Sequence, residues 1–405
     1  MPIITVFSVP YCNEEKVVKN LSEKMGLELV TDKQIISTAS STYGIPEDKF
    51  YKALFDKRSV FNAFTRDKER CVACYKAALA SIFLKQDLVF QGFGGFLVPK
   101  SLTHVLKVCL MAEMDYRLEI ASKQHSLSIE GLKKLIAQED SSRYRWTEYV
   151  VHQGPWESSL YDILISMEKI SVEEAVELAR NFAKKAVTLP TRDSIQAAED
   201  FAFNADIEAE LALKGWFVRA KIKDDKLFVR LDKNIMRPER LEDELASILS
   251  NVAENMDFEI HSGPDMFQTD VYRPYDSETP AKVLLVDNEK RFAKSLSERL
   301  QMQEMGTAAV YNGEEALELI DEDEPEVVIL DLKLPGIDGV EVLHYIKRNH
   351  PDLPVIILSG GGQEKEFETC TRIGAFACLR KPVEIKDLTE TIRQAHLSRQ
   401  AEKNS

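Results

Sequence analysis

At 405 residues the chain is too long for one ordinary core, and its formal net charge of -15 argues against a protein whose main task is gripping nucleic acid. A hydrophobic fraction of 44% excludes a disordered or fibrous chain. The six cysteines, at positions 12, 71, 74, 109, 370 and 378, form no disulfide framework, which fits a reducing compartment. No apolar run approaches the ~20 residues that span a bilayer, and no charged-then-apolar leader opens the chain, so cytoplasmic residence is expected.

The first predicted element is an apolar strand, "IITVFS", which passes through "VPYCNEE" into a helical pattern, "KVVKNLSEKMG". In nucleotide-binding α/β domains a glycine-rich loop wraps phosphate at this turn, and here the turn holds no glycine. A helical stretch follows at 46–85, then a second buried strand at 87–96, "DLVFQGFGGF", and a third in "HVLKVCLMA". Helical patterns continue through "MDYRLEIASKQH", "SIEGLKKLIAQEDSSRYRW" and "SVEEAVELARNFAKKA", the last opening on a capping box of Ser171 with Glu174. Residues 1–188 thus read as one α/β domain with a helical insertion. Cys71 and Cys74 lie inside an apolar helical pattern with no second pair, so burial is the favoured reading over zinc or redox chemistry.

Residues 189–261 read as a small α+β module: a helix, two alternating strands across an Asp-Asp turn in "WFVRAKIKDDKLFVRLD", a helix at 237–255 and the short strand "DFEIH". Helix, hairpin, helix and strand weakly resemble the BON-type modules that bind ligands or partners. Pro264, Pro274 and Pro280 then mark 262–280 as a linker.

After the linker, from 281 to 400, strands and helices alternate strictly. "KVLLVD", "TAAVY", "EVVILDL", "PVIILSG" and "FACLRK" are strands, each followed by a helix. That order means a doubly wound parallel sheet. In such sheets ligands bind beyond the carboxyl ends of the strands, where Asp287, Asn288, Glu289, Asp331, Ser359 and Lys381 fall together. Gathered carboxylates need a cation, and all-oxygen ligands suit Mg²⁺.

The motifs "LLVDNE", "VVILDLKLPGIDG", "VIILSG" and "LRKP" resemble, in order and spacing, the receiver domain of two-component response regulators. The resemblance implies that Asp331 is the phosphoacceptor, that Asp287 and the backbone carbonyl of Lys333 hold Mg²⁺, and that Lys381 and the Ser359 hydroxyl meet phosphoryl oxygens. It also implies that Pro335, Gly336, Asp338 and Gly339 shape the loop beyond Asp331. Two positions depart from the family. Asn288 replaces a second acid, which lowers the expected affinity for Mg²⁺ while leaving an amide oxygen able to coordinate. Cys378 replaces the aromatic that rotates inward when the hydroxyl residue moves.

The N-terminal domain resembles the cytidylate kinase-like family of P-loop proteins through "ITVFSVPYCNEEKVVKNLSEKMGLELVTDKQII", "LVFQGFGGFLV", "MDYRLEIASKQHSLSIEGLKKLIAQEDSSRYRW" and "SLYDILISMEKISVEEAVEL". Where that family places a Gly-Ser-Gly-Gly-type loop, this chain has Tyr11, Cys12, Asn13 and Glu14. Where it places Gly-Arg-Gly, this chain has Gly92, Phe93 and Gly94. Lys16 is either a phosphate lysine or a solvated helix-face lysine. Arg117, Asp140, Arg143 and Asp162 match lid or substrate-side positions, or form salt-bridged helix pairs.

The fold expected is a multidomain α/β chain: a P-loop kinase-like domain, a small α+β middle module and a flavodoxin-like (βα)5 receiver. The favoured function is a response regulator phosphorylated on Asp331 by a sensor histidine kinase or phosphotransfer protein, controlling a degenerate kinase-like binding domain. A homodimer is the candidate assembly. The alternative is a receiver-gated nucleoside monophosphate kinase.

Overall fold

The computed structural model describes residues 3–85, 87–185, 189–223, 226–231, 245–249, 257–262, 282–303, 305–360 and 364–403. Most of the linker expected at 262–280, all but Ser262 at the end of a strand, and most of the helix expected at 237–255 lie outside the described residues. The chain divides into two compact units, one of residues 1–57 and 67–268, the other of residues 58–66 and 269–405.

In the first unit, β1 (Ile3–Ser8), β2 (Glu28–Thr31), β3 (Leu88–Gln91), β4 (Val105–Met111) and β5 (Ile163–Ser166) form a parallel sheet in the order β2-β3-β1-β4-β5. All six residues of β1 are buried, as a central strand covered on both faces requires. One face carries α1 (Glu14–Met25), packed through Val17, Val18 and Leu21. The other carries the insertion: α2 (Asp32–Tyr43), α3 (Glu47–Phe55) and, beyond α4 (Asn62–Thr65), which belongs to the second unit, the helix α5 (Asp67–Lys85). The 46–85 stretch is therefore interrupted at 56–61. Cys71 and Cys74 are buried on α5, and burial raises both thiols, Cys74 to about 12, so neither is a ready thiolate.

Helices α6 (Met114–Gln124), α7 (Ile129–Val151) and α8 (Val172–Ala183) follow, the last opened by the Ser171–Glu174 capping box. The strand expected across 87–96 stops at Gln91 and becomes a 3-10 turn at Phe93–Leu97, because the Asp32 carboxylate accepts from the Phe93 and Gly94 amides. Helix α9 (Arg192–Leu213) lays Ala198, Phe201, Ala202, Ala205 and Ala209 into the same core as α5. Its small residues allow close approach, and Glu208 bonds Lys76 at 2.7 Å and the Ala220 amide at 3.0 Å. The 189–261 segment, read from sequence as a module, thus shares its core with the kinase-like sheet. Strands β6 (Val218–Lys223) and β7 (Lys226–Leu231) pair antiparallel, and β8 (Asp257–Ser262) adds parallel to β7.

In the second unit, β9 (Val283–Val286), β10 (Thr307–Val310), β11 (Val327–Leu330), β12 (Val355–Ser359) and β13 (Ala377–Arg380) form a parallel sheet in the order β10-β9-β11-β12-β13. β9, β11 and β12 are buried throughout. Helices α10 (Lys290–Gln301) and α14 (Ile385–Lys403) cover one face. Helices α11 (Gly313–Glu322), α12 (Gly339–Asn349) and α13 (Glu364–Ile373) cover the other. The strand order reverses next to β9, the arrangement of flavodoxin-like folds.

Candidate functional site

In the second unit the carboxyl ends of β9, β11, β12 and β13 deliver Asp287, Asp331, Ser359 and Lys381. Asp287 and Asp331 are buried at 1% and 5% exposure. Each fixes one oxygen on the main chain: Asp287 Oδ1 accepts from the Glu289 amide at 2.8 Å, and Asp331 Oδ1 from the Lys333 amide at 3.1 Å. The other oxygen of each accepts from a single donor, Lys381 Nζ, at 2.6 Å in both cases. Lys381 Nζ also lies 4.5 Å over the Phe292 ring.

Two carboxylates thus share one ammonium, an arrangement short of positive charge. Burial pushes the Asp287 carboxyl up, and the nearby Asp331 charge adds to that against the bonds from Lys381 and the Glu289 amide. Burial pulls Lys381 down, and its two carboxylate partners reverse the shift so that it stays firmly charged. Ser359 is 1% exposed and its Oγ has no hydrogen-bond partner among the described residues. A buried hydroxyl without a partner is costly and points to an acceptor arriving from outside.

The loop after Asp331 has little slack. A Cβ on Gly339 would lie 2.4 Å from the Asp331 carbonyl oxygen. Gly336 takes a φ of +80°, and the Ile337 amide beyond it donates to Glu314 at 3.2 Å. Asp338 caps α12 through the Val340 amide at 3.1 Å. Asn288 and Lys333 are exposed beside the pocket. Cys378 is half-buried, with Sγ 3.8 Å from Thr371 Oγ1 and from the Phe367 carbonyl. Among the described residues no three His, Cys, Asp or Glu side chains are grouped to hold a metal by themselves. The two buried carboxylates are hard oxygen donors, which fits a hard cation such as Mg²⁺ that keeps much of its hydration.

The turn after β1 is built differently. Tyr11 and Asn13 both hold left-handed backbone, at φ 62° and 61°, a conformation that costs roughly 1 kcal/mol for a bulky residue. The Tyr11 and Cys12 amides point into the loop and donate to the Glu14 carboxylate at 3.3 and 2.9 Å. Tyr11 Oη donates to Glu139 at 2.9 Å and lies 3.2 Å from His125 Nε2; burial, then Glu139, pushes it up to about 12. Arg117 Nε donates to the Pro10 carbonyl at 3.0 Å and Nη2 pairs with Asp140 at 2.7 Å. Arg143 Nε donates to the Ser8 carbonyl at 2.8 Å and Nη1 pairs with Glu139 at 3.3 Å. Asp162 accepts from the Lys107 amide at 2.7 Å, and Lys16 is exposed.

The same internal closure recurs at Gly92–Phe93–Gly94. There Asp32 accepts from the Phe93 amide at 2.8 Å and from Tyr75 Oη at 2.5 Å, and burial outweighs those bonds to push its carboxyl up to about 6. A Cβ on Gly92 would lie 2.3 Å from Asp32 Oδ1, and one on Gly94 2.6 Å from Tyr75 Oη. The sequence reading missed Asp32, Glu14 as a cap, and Phe292 under the lysine. Glu14 in the first helical turn after a loop without glycines was the one available signal.

Comparison with known proteins finds two families along the chain. Residues 283–393 match the model of the response regulator receiver domain, and residues 3–169 match that of the cytidylate kinase-like family. A curated relative, "Probable transcriptional regulator ycf27" of Guillardia theta, is 38% identical over 118 residues, which are 29% of this chain and 46% of that relative. The chain therefore spans about half the length of that relative. Among solved structures, a response regulator receiver domain protein from Clostridium thermocellum is 30% identical, covering 30% of this chain and 97% of that one at a TM-score of 0.29. The receiver domain of the Francisella response regulator 1452 is 27% identical, covering 31% and 99% at a TM-score of 0.28. The chain joins a cytidylate kinase-like domain, at residues 3–169, to a response regulator receiver domain at residues 283–393.

Proposed function

We propose that this chain is a two-component response regulator whose receiver takes a phosphoryl group on Asp331, and that its kinase-like domain is a binding module under receiver control. The observation that carries the reading is the pair of buried carboxylates sharing Lys381 beside the unpartnered Ser359 hydroxyl. An Asp331 carboxylate oxygen attacks the phosphorus of a phosphohistidine on a sensor kinase or phosphotransfer protein. The P–N bond breaks, the imidazole leaves with the bonding pair and takes a proton, and an acyl phosphate forms. Lys381 follows the charge from the carboxylate to a phosphoryl oxygen, and Ser359 Oγ donates to another. Mg²⁺ held by Asp287, Asp331, the Lys333 carbonyl and the amide oxygen of Asn288 would supply charge that offsets the phosphoryl oxygens. With Cys378 at the aromatic position, readout proceeds without an inward-turning ring.

The internal bonding of the β1 turn supports a non-catalytic kinase-like domain. Glu14 occupies the Tyr11 and Cys12 amides, and each arginine is bonded to a carbonyl and paired with a carboxylate, so an incoming phosphate meets negative charge and must compete with those acids for its donors. Incubation with acetyl phosphate and Mg²⁺, followed by intact mass, tests the receiver. One added phosphoryl group, absent from Asp331→Asn, is expected; a group that persists in Asp331→Asn overturns the assignment. Titration with ATP and CMP tests the other half, where micromolar binding abolished by Lys16→Ala would restore the gated-kinase alternative.

A further inference from the structure

Residues 58–66 are joined by sequence to Lys57 and Asp67 of the first unit, yet they belong to the receiver's unit. Local chemistry explains the assignment. Ser59 Oγ accepts from the Phe61 amide at 3.1 Å and donates to Asp323 Oδ2 at 2.6 Å, closing a short hydroxyl-anchored turn. The Asn62 amide bonds the Ser59 carbonyl at 3.1 Å, and the Phe64 and Thr65 amides bond the Phe61 carbonyl at 2.8 and 3.1 Å, winding α4 behind the turn. The turn presents Phe61, which has no exposed surface and joins the apolar cluster containing Leu284, Ile320 and Ile346. Lys282 Nζ sits 2.7 Å from Asp323 Oδ1 and 5.8 Å over the Phe61 ring. One aromatic, one hydroxyl, one carboxylate and one ammonium therefore satisfy each other. Beside them Val60 is 55% exposed, while Asn62 and Thr65 are buried with Phe61, so the loop turns one side inward and leaves Val60 outside.

Lys282 precedes β9 and Asp323 follows α11, so this cluster lies at the strand ends opposite those that carry Asp287 and Asp331. We propose that residues 58–66 are the receiver's built-in docking ligand, with Phe61 as anchor and Ser59 as lock, seated away from the carboxylate pocket. An outside partner of the receiver must then use another face or displace this loop. The inference stands independently of the phosphorylation chemistry.

Hydrogen exchange on the full chain tests it. In the wild type, amides of 58–66 and of 316–323 are expected to be protected, and Phe61→Ala is expected to speed exchange in both segments together by about tenfold or more. Val60→Ala serves as the exposed control and leaves both unchanged. Ser59→Ala and Asp323→Ala give smaller increases that fail to add in the double variant, because they remove the same bond. This pair keeps the test open if Phe61→Ala does not fold. Phosphorylation by acetyl phosphate is expected to persist in Ser59→Ala, so a dead phosphoacceptor and a misassigned loop give different results. Free exchange of 58–66 in the wild type, loosening of 58–66 with 316–323 untouched, or fully additive Ser59 and Asp323 effects would each overturn the proposal.

Discussion

The two parallel sheets place polar groups at equivalent points, the carboxyl ends of strands where the order reverses, and then treat them in opposite ways. In the receiver, Ser359 Oγ has no partner among the described residues and two buried acids divide one lysine. In the kinase-like domain, Glu14 closes the loop amides and Asp32 closes those at Phe93 and Gly94. A site that awaits an external anion keeps its donors undersatisfied. In the proposed reading the kinase-like domain has no anion to await and satisfies its donors from within, because buried unpaired groups cost about 1–3 kcal/mol each.

Three measurements bear on that contrast, and a fourth probes the receiver outside it. The largest effect is expected from Asp331→Asn, which removes the nucleophile: phosphorylation from acetyl phosphate should fall by at least ~100-fold, read by intact mass. Next, Lys381→Met leaves Asp287 and Asp331 buried without their counter-charge. Receiver stability in denaturant should drop by about 3 kcal/mol without divalent cation, and millimolar Mg²⁺ should restore part of the loss. An unchanged midpoint, or one indifferent to Mg²⁺, would break the picture of a pocket short of positive charge. Third, Glu14→Ala uncovers two amides at a helix start and should destabilise the first unit by about 1 kcal/mol. No loss of stability there would mean that the loop was never closed by its own carboxylate.

The smallest effect concerns His350, outside both sites. Burial lowers its pKa, but hydrogen bonds to Asp321 and Glu324 outweigh that and raise it above 6.5. A histidine whose folded value is raised contributes stability that is fully present below 6.5 and is lost as pH rises through the folded value. The partners are largely solvated, at 47% and 39% exposure, so the contribution is well under 1 kcal/mol. The difference in melting temperature between wild type and His350→Gln should therefore shrink from pH 6 to pH 8.

The receiver fold could be read from sequence because its signals are local. "VLLV", "VVIL" and "VIILS" are strands buried along their whole length; Asp287 and Asp331 follow the first two directly and Ser359 closes the third. What could not be read depends on groups brought from far along the chain. "DLVFQGFGGF" scans as one strand, and only Asp32, arriving from the end of β2, turns it after Gln91. The left-handed Tyr11 runs against residue preference, so the loop's shape cannot be read from propensity, and only an acid in the first helical turn hints at the Glu14 bonds. Phe61 lies in a stretch with helical composition, and its partners come from beyond residue 280. The two arginines are a middle case: their pairing with acids was one of two readings, and both are paired, Arg117 with Asp140 and Arg143 with Glu139.

The Phe61 contact also bears on the order in which the protein is made. Ser59 and Asp323 are 264 positions apart. During synthesis the loop emerges long before the strands that receive its ring, so Phe61 stays solvent-facing until β9, β11 and β12 have left the ribosome. Contacts closed over so long a stretch form slowly, and an apolar ring waiting on a nascent chain invites capture by neighbours or chaperones. A receiver cut free of the first 268 residues would face the matching problem, a slot in its core with nothing to fill it.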